Sequence, residues 1–252
     1  MREVFHLYNN EEIGVSAEVA IADIFNVPIN DAYRYRGNSD IINTLKPVVR
    51  NVFNTNNIPH PLKHIAEGQN PIDFLLSNNK TLSVKTNQRA IGKVAPQCIG
   101  QPTAETFFEY LKNAFNFNIN YVLNSNGFAD TYDNRAKIFK KFAMEHTTEL
   151  LKEYWINLFD CDYLVFFYNI LTPTKHINNN LDCMVFTKAI NPINWDKSQI
   201  SFTQTLNSWN ESCTVKYHNI SIGEFQVHTN RNCFKFRFNM SGILRLKTKG
   251  LI

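Results

Sequence analysis

The stretch Asn70–Gln88, NPIDFLLSNNKTLSVKTNQ, decides how this chain is read. Two short apolar runs flank a polar tip. The pattern predicts a strand over Ile72–Leu76, a turn over Ser77–Lys80 and a second strand over Thr81–Thr86. Asp73 opens the first run, and Lys85 stands near the end of the second. In an antiparallel pair the start of one strand lies beside the end of the next, so the two side chains can sit close together at one end of a sheet. A carboxylate there can hold a hard divalent cation, and magnesium needs few protein ligands beside waters and substrate phosphate oxygens. A lysine there can position or deprotonate a water and offset charge on a phosphate. The same two residues can also form a plain surface ion pair.

Upstream, NNEEIGVSAEVAIADIFNVP predicts a helix. Ile13, Ala17, Ala20, Ile21, Ile24 and Phe25 recur at helical spacing, Asn9 or Asn10 can cap it, and Pro28 follows as a stop. DAYRYRGNSD is expected to be a loop, and IINTLKPVVRNVFNTNN a second helix broken at Pro47. Downstream, NQRAIGKVAPQCIGQP is expected to be a long polar loop. Thr103 is expected to cap a helix running to about Phe115, and a longer helix is expected from about Asn134 to Phe159. DYLVFFYNI and LDCMVFTKA read as strands. From about Ser198 the chain turns to short β runs, QISFTQ, CTVKYH, EFQVHTN and CFKFRFNM. In the last, Phe234, Phe236 and Phe238 alternate with Lys235 and Arg237, which predicts a half-buried strand with a basic outer face.

The order of three motifs carries a resemblance. Gly14-x-x-x-Glu18 lies on a helix, then come Pro71-x-Asp73 and Ser83-x-Lys85. This resembles the PD-(D/E)xK nuclease superfamily and, with the chain length and the basic β-rich C-terminal part, a type II restriction endonuclease. The motifs cover roughly residues 10 to 115. The resemblance implies an α/β fold with a central mixed sheet flanked by helices, and Mg²⁺-dependent cleavage of double-stranded DNA. It also implies a cognate DNA methyltransferase in the same system, and for a palindromic target a two-fold homodimer is the natural reader. The family usually has an acid two residues before the lysine, where this chain has Ser83. A second carboxylate must then come from elsewhere. Glu18 is the first candidate, Glu105 the second and Glu67 the third, so the resemblance implies a catalytic set of Asp73, Lys85, Glu18, Ser83 and Glu105, with Asp73 and Glu18 on the metal. Glu105 also has an ordinary reason to open a helix, since an acid there favours the dipole. Two rival readings remain open: a repair or structure-specific nuclease of the same fold, and a non-catalytic DNA-binding module.

Two polar groups of residues could touch DNA. The loop after the hairpin offers Asn87, Gln88, Arg89, Lys93, Gln97 and Gln101. The C-terminal hairpin offers Asn230, Arg231, Asn232, Lys235 and Arg237, and a β-ribbon can enter a major groove. Arg34 and Arg36 with Tyr33 and Tyr35 form a third aromatic-basic cluster. The net charge of +4 over 252 residues is compatible with a polyanionic partner. One domain spanning 1–252 is expected, with a catalytic core over 1–170 and a recognition part over about 198–252.

The remaining classes find no support. The cysteines, Cys98, Cys161, Cys183, Cys213 and Cys233, are odd in number and lack C-x-x-C spacing, which points to reduced thiols rather than a disulfide framework or zinc. The histidines show no ligand spacing. The start has no signal-peptide core and no run approaches a bilayer span, so a cytoplasmic protein is expected, and the resemblance implies a prokaryotic one. No nucleotide-binding glycine loop and no G-x-S-x-G is present.

Overall fold

Small residues set the first helix. In α1 (Asn10–Phe25) Val15, Ser16, Ala17, Val19, Ala20, Ile21 and Ala22 are all buried, so the helix is covered around most of its girth. Asn9 caps it through Glu12 N–H, and Asn26 ends it in the left-handed region at φ 55°. A Cβ added at Gly14 would lie 3.8 Å from Thr86 Oγ1, so the helix runs close against the second hairpin strand. The computed structural model describes residues 8–66, 72–96, 99–159, 161–188 and 193–252. Pro71, Glu67 and Gln97, named above, lie outside the described residues.

The chain forms two compact units, Met1–Gly92 with Phe159–Ile190, and Lys93–Leu158 with Asn191–Ile252. The first unit holds α1, α2 (Asp31–Arg34), α3 (Ser39–Thr55) and a five-stranded sheet. Its strands are β1 (Pro61–His64), β2 (Phe74–Leu76), β3 (Thr81–Thr86), β5 (Tyr163–Tyr168) and β6 (Asp182–Thr187), side by side in that order. β3 and β5 are parallel and every other pair is antiparallel, so the sheet is mixed. The α/β class and the helix-flanked mixed sheet are as the sequence predicts. β5 is buried on both faces at Leu164, Val165, Phe166 and Phe167, as a strand with neighbours on both sides reads. Leu82 and Val84 of β3 join α1 and α3 in one core, and period-two alternation turns Ser83 and Lys85 to the other face.

The second unit holds a five-stranded antiparallel sheet in the order β4 (Lys93–Val94), β10 (Cys233–Asn239), β9 (Ile220–His228), β8 (Ser212–Tyr217), β7 (Ile200–Phe202). Helices α4 (Ala104–Phe115), α5 (Ile119–Ser125), α6 (Tyr132–Glu145), α7 (Thr147–Leu158) and α8 (Met240–Thr248) accompany it. The alternating phenylalanines of β10 do what their spacing predicts. Phe234 stacks on Phe139 with ring centroids 4.3 Å apart, Phe236 on Tyr154 at 4.4 Å, and Phe238 meets Trp155 at 5.3 Å. A Cβ on Gly242 would fall 1.9 Å from the Ser221 carbonyl oxygen, so only glycine lets α8 lie this close to β9.

Several expectations change. β2 begins at Phe74 rather than Ile72. Pro47 sits inside α3 without ending it, because Ile41, Leu45, Val49 and Val52 bury one continuous stripe on both sides of the proline. The helix expected over Asn134–Phe159 is two helices meeting at His146, where Thr147 Oγ1 bonds back to the Ala143 carbonyl. The expected loop after the hairpin contains β4, and DAYRYRGNSD contains the single turn α2. Among the described residues Cys161, Cys183, Cys213 and Cys233 form no disulfide with one another. No helix there is long and apolar enough to cross a membrane.

Candidate active site

The hairpin holds Asp73 through both its backbone and its side chain. The Asp73 amide bonds the Leu82 carbonyl at 3.0 Å, which fixes the acid at the mouth of the β2–β3 pair. One carboxylate oxygen of Asp73, Oδ2, accepts from Val84 N–H at 2.5 Å and from Ser83 Oγ at 3.2 Å. Ser83 therefore has a partner of its own: its hydroxyl donates to the acid across the hairpin. Among the described residues Oδ1 accepts no hydrogen bond. Lys85, two residues on from Ser83 and on the same face of β3, makes no ion pair and donates no hydrogen bond among the described residues. The plain ion-pair reading of Asp73 and Lys85 is thus not what the side chains do.

Glu18 comes to the same place from α1. It is buried, with a side chain 10% exposed. Its Oε2 accepts from Tyr33 Oη at 2.7 Å and lies 2.7 Å from His64 Nε2. As in Asp73, both contacts fall on one oxygen, and Oε1 has no donor among the described residues. Burial pushes the Asp73 carboxyl up, the Lys85 charge draws it down, and the Glu18 charge pushes it up again. With the two hydrogen bonds to Oδ2 pulling down, the net position is about 6. Burial, then the charge of Glu18, also raises the Tyr33 phenol, which stays a donor. Two buried carboxylates that repel each other, each with one oxygen left over, suit a divalent cation with a liking for oxygen. No cluster of three or more His, Cys, Asp or Glu side chains forms a metal cage among the described residues. Magnesium does not require one, since it keeps several waters and takes one or two carboxylates.

Other candidates are placed differently. Glu105 is exposed in the first turn of α4, in the second unit, and its charge acts on Arg135. Asn87 is half-buried, with its amide 3.5 Å from the Ile91 carbonyl. Gln88 is used inside the first unit, where its amide donates to the Tyr8 carbonyl at 3.1 Å and to Asn10 Oδ1 at 3.0 Å. Arg89 and Gln101 are exposed. Asn230 and Arg231 are exposed at the β9–β10 tip, and Asn232 closes that turn at φ 45°. Arg34 pairs with Asp23 at 2.7 Å and Arg36 with Glu11 at 2.5 Å.

Lys93 and Arg237 are both tied to a residue that sequence reasoning misses. Glu224 of β9 is buried, and it accepts from Lys93 Nζ at 2.5 Å, from Arg237 and from Gln226 Nε2 at 2.8 Å. Burial raises its carboxyl, but Lys93 and Arg237 outweigh that and hold it below its ordinary value. Lys235, opposite Gln226 on the same face, is pushed down by burial and then by the Arg237 charge. His64 and Glu224 escape sequence reasoning, and Tyr33 is read there only as part of an aromatic-basic cluster, for one reason: each matters through a partner far away in the chain. Only Glu224 carried a local signal, since Glu224, Gln226 and His228 alternate with Phe225 and Val227.

The chain is similar to a restriction enzyme. Over 240 residues, 94% of its length, it is 32% identical to the type II restriction enzyme CviAII of Paramecium bursaria Chlorella virus 1. It spans 60% of the length of that relative. No family model matches the chain, and no solved structure matches it.

Proposed function

We propose that this chain is a Mg²⁺-dependent endonuclease of the type II restriction kind, cutting double-stranded DNA at a short specific sequence. The observation that carries the reading is the pairing of Glu18 and Asp73. Two buried acids from different elements each leave one oxygen without a donor among the described residues, beside a Lys85 that makes no ion pair there. The likeness to CviAII over 94% of the chain supports the same reading. Asp73 Oδ1 and Glu18 Oε1 would hold the metal. Mg²⁺, when bound, supplies positive charge that neutralises the phosphate and its transition state. Lys85 orients and activates the attacking water. Ser83 Oγ and Val84 N–H would hold Asp73 by donating to Oδ2, which leaves Oδ1 for the metal. In-line attack would leave a 5′-phosphate and a 3′-hydroxyl.

The proposal extends to the rest of the molecule. Residues 1–170 carry the catalytic core and about 198–252 the recognition part of one nuclease domain. If the target is palindromic, a two-fold homodimer is its natural reader. A cognate methyltransferase would protect the host. The test is a digest of a sequenced plasmid with Mg²⁺, followed by end mapping. Discrete fragments with a common end sequence are expected. A smear would replace the restriction reading with a nuclease that does not read sequence, and no cutting at any Mg²⁺ level would remove the enzyme reading.

The basic outer face of β10 supplies a second expected result. Lys235 has no anionic partner within ion-pair distance among the described residues, while Arg231 and Arg237 crowd it with like charge. A phosphate would relieve that crowding. Lys235→Ala should weaken DNA binding without changing the cut sequence, and the slope of log K against log salt should fall by about 0.9. Fluorescence anisotropy with a labelled duplex over a salt series measures both. An unchanged slope would take Lys235 off the phosphate backbone.

A further inference from the structure

We propose that His64, assisted by Tyr33, is a positioning residue that turns one oxygen of Glu18 toward the metal beside Asp73. The inference rests on the nuclease reading above and assigns a task to a strand the sequence does not announce.

β1 reaches both acids at once. His64 is the Cα partner of Phe74, the residue after Asp73. The next amide, Ile65 N–H, donates to the Asp73 carbonyl oxygen at 2.9 Å. Two consecutive residues therefore hold the backbone of one acid and the side chain of the other. The His64 side chain is only 2% exposed. Its ring stands edge-on to Tyr33 at 4.8 Å and to Phe74 at 5.1 Å, which fixes where Nε2 points. In the tautomer that carries its proton on Nε2, that nitrogen donates to the carboxylate oxygen.

Both donors meet the same oxygen of Glu18, and this shared target separates positioning from mere burial. A histidine that only satisfied a buried acid could bond either oxygen. Here Nε2 and the Tyr33 hydroxyl converge on Oε2 at 2.7 Å each, leaving Oε1 for another ligand. Groups that orient a metal ligand in this way typically change metal affinity by about 10- to 100-fold when removed.

The test uses the full chain and Mn²⁺ alone, titrated by electron paramagnetic resonance, beside the Mg²⁺ dependence of plasmid cleavage. His64→Leu keeps most of the volume and removes the donor. His64→Gln places an amide nitrogen near the old Nε2. The expected result is a Mn²⁺ dissociation constant raised about 10-fold or more in His64→Leu and largely restored in His64→Gln. The KM for DNA should be unchanged. Tyr33→Phe deletes one oxygen from the same pair of donors, and a weakening of about 10-fold is expected there too. It serves where His64→Leu does not fold. Wild-type Mn²⁺ affinity in both His64→Leu and Tyr33→Phe would overturn the inference while leaving a cutting enzyme intact. Equal weakening in His64→Leu and His64→Gln, with lowered melting temperatures, would assign a structural role only and overturn it as well. A wild-type chain that neither binds Mn²⁺ nor cuts DNA would overturn this inference and the nuclease reading together.

Discussion

Asp73→Asn should abolish DNA cleavage and at the same time make the metal-free protein more stable at pH 8. Asparagine keeps an oxygen where Oδ2 accepts from Val84 N–H and Ser83 Oγ, so the hairpin end should persist. It removes the charge that Mg²⁺ would need. A loss of about 1,000-fold in rate, about 4 kcal/mol of barrier, is expected. The stability change follows from the raised carboxyl, up to about 6 from an ordinary 3.8. A native acid with a raised value holds its proton more tightly than the unfolded chain does. Its contribution to stability is fully present below the unfolded value and is lost as pH rises through about 6. The substituted amide is neutral at every pH, so the variant should match the wild type near pH 4 and exceed it at pH 8 by about 1–3 kcal/mol. Mg²⁺ should raise the wild-type melting temperature at pH 8 and leave the variant unmoved. Thermal melts at the two pH values, with and without Mg²⁺, read all of this. Lys85→Ala should lose cleavage comparably yet keep the Mg²⁺ shift, because in the proposed mechanism the lysine acts on water rather than on the metal. Normal cutting by both variants would place the active site elsewhere.

Some of this arrangement is written locally in the chain. The hairpin is legible because its apolar alternation and its polar tip are neighbours in sequence, and the tip asparagines Asn78 and Asn79 adopt the positive φ that asparagine tolerates. The basic face of β10 is legible for the same reason. What is not local is not legible. β1 is four residues with Leu62 exposed, and β4 is two, so neither has enough alternation to read, and only their distant partners make them strands. Gly242 weakens the helical look of MSGILRLKT, although it is what lets α8 approach β9. The break at His146 has no glycine or proline to mark it. Glu18 is a sharper case. The small residues around it announce a buried helix, but burial of an acid among them reads as a contradiction until His64 and Tyr33 are seen to meet it. The family resemblance points to Glu18, and the periodicity alone does not. Arg237 and Lys93 read as available cations in the sequence because their common anion, Glu224, lies on another strand.

Glu18→Ala should be nearly as damaging as Asp73→Asn, and the reason is Ser83. Where the nuclease motif that this chain resembles usually has an acid, this chain has a hydroxyl that donates to Asp73 at 3.2 Å. Asp73 is then the single charged oxygen ligand offered by the hairpin. A lone carboxylate leaves most of the cation charge and of the phosphate approach uncompensated, and Glu18 is the acid whose field Asp73 already feels. Removing it should cut the rate by about 100- to 1,000-fold, about 3–4 kcal/mol, mostly through weaker Mg²⁺. Glu18→Gln should do the same, since the amide retains the shape and loses the charge. Duplex binding without metal should hold or tighten, because one negative charge facing the phosphates is gone. A second sign is electrostatic: with Glu18 neutral, Asp73 loses the repulsion that helps to raise it, so its carboxyl should move down from about 6. Carboxyl titration by NMR of the metal-free variant measures that shift independently of activity. Glu105→Ala is the control. Glu105 is exposed in the first turn of α4, and its replacement should cost little beyond a helix-terminus contribution of about 0.3–1 kcal/mol. Full activity in Glu18→Ala together with loss in Glu105→Ala would move the second metal ligand to α4 and leave Glu18 as a buried structural acid.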